Sequence, residues 1–83
     1  MIATQMRYYF NLPSAAGTVH DYEGTELSTL EDARREAIED ARVLMSTAML
    51  EGRDISARSI EICNRDGEVL LTVAFRDAIT PDA

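Results

Sequence analysis

Apolar and polar residues alternate from Met6 to Leu12, with Met6, Tyr8, Phe10 and Leu12 on one parity and Arg7, Tyr9 and Asn11 on the other. A period of two over seven residues is that of a half-buried strand. Pro13 ends it, and Ser14–Gly17 is small and polar enough to reverse the chain. Thr18–Tyr22 returns as a short second strand, its His20 and Asp21 suited to a sheet edge.

Beyond Gly24 the period changes. Leu30, Ala33, Ala37, Ala41, Leu44 and Ala48 recur at intervals of three and four, flanked by Ile38, Met45 and Met49, so one face of a long helix is apolar and the other charged. Ser28-Thr29-Leu30-Glu31 has the form of a capping box. Glu31 and Asp32 sit where the positive end of the helix dipole favours acids, and four-residue spacing pairs Glu31 with Arg35 and Arg35 with Glu39. Gly52, after Glu51, is the natural stop. A helix of about 23 residues is roughly 34 Å long, and its alanine stripe lets it lie close against a sheet.

Alternation resumes at Ala57–Cys63, with Ile60 and Ile62 on one side and Ser59, Glu61 and Cys63 on the other. Asn64-Arg65-Asp66-Gly67 is a tight reversal. Glu68–Phe75 then sets Val69, Leu71, Val73 and Phe75 against Leu70, Thr72 and Ala74. The order strand, strand, helix, strand, strand predicts an α+β fold of ββαββ type, a four-stranded, mostly antiparallel sheet with one long helix packed on one face. A single domain is expected over residues 6–78, with Met1–Gln5 as an N-terminal extension and residues 79–83 as a flexible tail.

Composition narrows the function classes. The chain has 83 residues, with 8 arginines and no lysine against 15 acids, for a net charge of −7. Residues 1–41 carry three arginines against eight acids and the remainder five against seven, so neither part forms a basic patch of the kind that neutralises phosphates. Nucleic acid is not an expected partner. One cysteine, Cys63, gives no internal disulfide, no apolar run reaches the ~18–20 residues of a membrane span, and Met1–Gln5 lacks the features of a signal peptide. A cytoplasmic protein without membrane contact is the expectation. With 46% hydrophobic and 28% charged residues the chain should fold.

Candidate chemistry is sparse. His20 is the only imidazole, and nothing in the spacing brings it beside Cys63 or a serine. Asp21 and Glu23 share a strand face at two-residue spacing but read as solvated acids. Residues 21–32 are acidic and precede a helix, yet Glu26 stands where a calcium loop requires glycine, and no zinc-type ligand set exists. No catalytic residue, metal ligand or cofactor site is therefore assigned, and the protein is not expected to be an enzyme. The uncovered sheet face is a better candidate: Tyr9, Cys63, Leu70, Thr72 and Ala74 form a mixed apolar surface there, ringed by Arg7, Asn11 and Glu61, as a pairing site would.

Arg7-Tyr8-Tyr9-Phe10-Asn11-Leu12, Asp21-x-x-Gly24-Thr25-Glu26-Leu27, the alanines 33, 37 and 41, and Gly67-x-Val69-Leu70 running to Phe75 resemble a family of small bacterial proteins known as a domain of unknown function. The resemblance covers residues 6–78 and implies no activity. Ser28-x-x-Glu31 and Ala33 behind the acidic Asp21-x-x-Gly24 segment also resemble HicB-type antitoxin domains, which implies a basic protein partner. Three expectations follow: a non-enzymatic interaction module forming a homodimer through the open face or a strand edge; an antitoxin-like or regulatory domain; or an enzyme whose site forms across a dimer.

Overall fold

The computed structural model describes residues 5–82, so the predicted Met1–Gln5 extension lies outside the described residues except for Gln5, as does Ala83 of the tail. Five strands, β1 (Met6–Ser14), β2 (Gly17–Val19), β3 (Thr25–Leu27), β4 (Ser59–Cys63) and β5 (Val69–Ala74), accompany one helix, α1 (Leu30–Leu50), and a closing 3-10 turn over Phe75–Ala78. All pairings are antiparallel, in the order β2-β1-β4-β5, with β3 also on β1. The α+β class and the single covering helix agree with the hydrophobic pattern. The strand count does not: there are five strands, not four.

The difference arises on the outer edge of β1. The segment expected as one strand over Thr18–Tyr22 pairs only as far as Val19, opposite Leu12–Ser14, then leaves the ladder and rejoins it at Thr25–Leu27, opposite Met6–Tyr8. Pro13 lies inside β1 rather than ending it, because β4 pairs only with Tyr9–Asn11 and the strand is bordered on one side there.

Across the gap, Asp21 replaces the missing backbone partners. Its carboxylate accepts from the Phe10 amide (3.2 Å) and the Gly24 amide (3.1 Å), while its own amide donates to Asn11 Oδ1 (2.9 Å). Gly24 has φ +70°, and a Cβ there would lie 2.7 Å from Arg7 Cγ, 2.9 Å from Tyr9 Cε2 and 3.0 Å from the Tyr8 carbonyl oxygen. Only glycine fits that approach. Arg7 clamps the same loop, donating to the Glu23 carbonyl (2.8 Å) and pairing with Glu26 (2.9 Å).

The helix begins one residue later than the capping-box reading places it. Thr29, extended at φ −141° and ψ 160°, is the cap, and its hydroxyl accepts from the Asp32 amide at 3.1 Å. On the exposed face of the first turns, Glu31 pairs with Arg34 and Asp32 with Arg35 at three-residue spacing, instead of the four-residue pairs expected. At the other end Gly52, at φ +79°, allows Arg53 N–H to reach the Ala48 carbonyl (2.8 Å) and Gly52 N–H the Met49 carbonyl (2.9 Å), a Schellman closure.

Ala33, Ala37, Ala41 and Ala48 are buried, and the first three join Tyr8, Ile60, Ile62, Val73, Phe75 and Ala78 in the core. With no side chain beyond Cβ on the helix stripe, large residues on the sheet fill the layer between. Phe75 belongs to this core from the 3-10 turn rather than from the end of β5, and Arg42 Nε holds the turn to α1 by donating to the Ala78 carbonyl (2.6 Å).

Gly24→Ala is expected to destabilise the protein by roughly 2–4 kcal/mol, the sum of a left-handed backbone penalty and overpacking against β1. Gly67→Ala, at φ +85° but with open space around it, should cost only about 1–2 kcal/mol. Urea unfolding midpoints of the two variants check the difference.

Candidate interaction surface

Residues directly opposite each other in a ladder share a face, so register maps the side of the sheet away from α1. One row runs Tyr9, Cys63, Val69; the next Asn11, Glu61, Thr72; and Ser59 lies opposite Ala74. Of the five predicted interface residues, Tyr9, Cys63, Thr72 and Ala74 are therefore on this face, as expected.

Their surroundings are not as expected. Cys63 is buried, not part of an open surface. A shallow hollow of about 150 Å³ lies beside it, lined by the loop residues His20, Asp21 and Tyr22 and the turn residues Asn64, Arg65 and Gly67 together with Tyr9 and Asn11. His20 and Cys63, which the spacing left apart, thus border one concavity. Asn11 Nδ2 donates to the Cys63 sulfur (3.5 Å), and among the described residues no hydrogen bond joins the thiol to the imidazole. Burial pushes the Cys63 thiol above its ordinary value, the Glu61 carboxylate adds to the rise, and the Asn11 hydrogen bond opposes it. This is the reverse of what activates a nucleophile. Asp21 is equally committed, its carboxylate spent on two backbone amides, so it does not pair with Glu23 as a surface acid.

Glu61 is central, not peripheral. It lies on β4 between Asn11 and Thr72, so anything laid flat on this face covers a carboxylate. Asn64 supports the adjoining turn by accepting from the Asp66 amide (3.0 Å) and the Glu68 amide (2.9 Å).

A register shift between Ile62 and Cys63 makes Val69, not Leu70, the partner of Cys63, with Leu70 the extra residue. Val69, which alternation sets on one face with Leu71 and Val73, is instead beside Cys63 and 50% exposed, and Leu70 is 39% exposed. β5 is the terminal strand on this side of the sheet, and Val69–Ala74 contains no charge and no proline. Beyond the bulge at its start, the regular stretch Leu71–Ala74 of an uncharged outer strand is a template for another strand. Alternation identifies Val69–Ala74 as a strand of the last hairpin, for which edge pairing is one expectation, and the strand order makes it the outermost strand on that side.

A second concavity of about 250 Å³ lies between α1 and the sheet, lined by Phe10, Leu12, Val43, Leu44 and Ile60, with Asp40 at its border. Asp40 is exposed at the surface, yet partial desolvation raises its carboxyl above its ordinary value, and Glu36, Glu39 and Asp21 raise it further. No group of three or more His, Cys, Asp or Glu residues placed to hold a metal ion occurs among the described residues. No helix among them is long and apolar enough to cross a membrane.

The Cys63 thiol should react slowly with a disulfide reagent such as DTNB at pH 8 in the folded protein and at the rate of a free thiol in denaturant; rapid labelling of the native protein would contradict its burial. Asp40 binds its proton more tightly folded than unfolded, so its contribution makes stability fall as pH rises through the folded-state value. Asp40→Asn is therefore expected to raise Tm at pH 7, and the gain should fade as pH drops below the ordinary carboxyl value of 3.8. Thermal melts of both proteins from pH 3 to 7 read this directly.

A family model described as a domain of unknown function, DUF6894, matches residues 7–76. No curated protein and no solved structure matches the chain.

Proposed function

The chain belongs to the DUF6894 family of domains of unknown function, and from that premise we propose that it works as a protein-interaction module, not as a catalyst, and that it forms a homodimer through the free edge of β5. The observation carrying this reading is the outermost strand Val69–Ala74, in which Val69, Leu70 and Thr72 are exposed and no residue is charged, on a chain of net charge −7. Two like-charged chains approach most cheaply where neither presents charge.

The edge is favoured over the open face by the position of Glu61. Face-to-face packing of two copies would cover two carboxylates, and burying an unpaired charge costs several kcal/mol. Edge pairing leaves both in water. It also satisfies backbone groups that in the single chain have only solvent as partner. The catalytic alternative is weakened by the raised thiol and by the engagement of Asp21 with backbone amides.

Sedimentation equilibrium should give a mass rising from 9.2 kDa toward twice that value as concentration increases, and Leu70→Asp should hold the protein at the lower mass. A mass that stays at 9.2 kDa at every concentration would end the homodimer reading.

A further inference from the structure

We infer that two copies of this chain join β5 to β5 in antiparallel register about a two-fold axis at Thr72, making one sheet continuous across both chains. This rests on the homodimer reading above and specifies its geometry.

The backbone phase of β5 is fixed by one hydrogen bond. The Phe75 amide donates to the Arg58 carbonyl on the β4 side (2.9 Å), and Val73 and Leu71 lie opposite Ile60 and Ile62 in the same register. Amide and carbonyl groups alternate in direction along a strand, so Leu71, Val73 and Phe75 turn theirs to β4, while Thr72 and Ala74 turn theirs outward. A Thr72–Thr72 pair across the axis is then a hydrogen-bonded pair, each amide donating to the other's carbonyl.

Side chains agree with that centre. A two-fold axis perpendicular to the sheet keeps each face on its own side, so partners must share a parity. Centring on Thr72 sets Leu71 against Val73 of the second copy on the α1 side and keeps threonine against threonine on the open side. It also keeps the regular part of the pair, Leu71–Val73 of each copy, inside β5, between the bulge at Leu70 and the 3-10 turn that starts at Phe75. A centre shifted to Leu71 carries the pair into the bulge, and one shifted to Val73 or Ala74 carries it onto the 3-10 turn.

Thr72→Pro is the decisive variant. The Thr72 amide faces outward, so proline there removes no hydrogen bond within the chain, but it deletes both central bonds of the pair. Dimerisation is expected to weaken about tenfold with the far-UV circular dichroism unchanged, from the loss of two backbone bonds. Should that variant fail to fold, cross-linking decides. Hydrogen-bonded partners sit with Cα atoms about 5.5 Å apart, within disulfide reach, so Thr72→Cys in a Cys63→Ala background should form a covalent dimer on mild oxidation, while Thr18→Cys in the same background should not. A wild-type dimer in which folded Thr72→Pro still dimerises, or in which Thr72→Cys fails to cross-link, overturns this register and leaves the homodimer standing. A wild-type monomer at all concentrations overturns both.

Discussion

Asp21 sits where the backbone ladder on the outer side of β1 is interrupted, and its carboxylate accepts from the Phe10 and Gly24 amides that would otherwise lack partners. Charge-assisted hydrogen bonds of this kind contribute about 1.5–3 kcal/mol each. Without them β2 and β3, three residues apiece, would have to hold the edge as unconnected fragments. With them, one side of the sheet is closed by a polar loop under an arginine clamp, and the apolar character of the opposite edge, β5, stands out by contrast.

Much of this fold is legible along the chain. The alanine stripe of α1 and the β4–β5 hairpin follow from periodicities of 3.6 and 2 over segments long enough to register them. β3 was invisible because three residues cannot display a period, and because Gly24 reads as a redirecting turn rather than as a point pressed against β1. The helix cap is Thr29 rather than Ser28 because both residue types can cap and the backbone angles, not the side-chain preference, decide. Phe75 looked like the last strand position, but the chain turns one residue earlier to bring it under α1.

The candidate surface was legible in membership and not in shape. Parity placed Tyr9, Cys63, Thr72 and Ala74 together, and the register agrees. Parity does not report depth, so the burial of Cys63 had no signal in the sequence. Nor does it report a bulge: one extra residue at Leu70 carries Val69 from the core side to the open side. The same shift moved the apolar weight from the middle of the face toward the edge, while Glu61 kept the middle charged.

The His20–Gly24 excursion has an evolutionary reading as well as a mechanical one. Its ends are tied by β2 and β3 and its centre by Asp21 and Gly24, which leaves His20, Tyr22 and Glu23 exposed on a fixed frame. Tyr22 is 86% exposed, and its contact within the loop is a tilted stacking against His20 at 5.9 Å between ring centres. Substitutions at these three positions change what the protein presents to its surroundings at little cost to the sheet beneath, so sequence can drift here while the architecture is inherited unchanged.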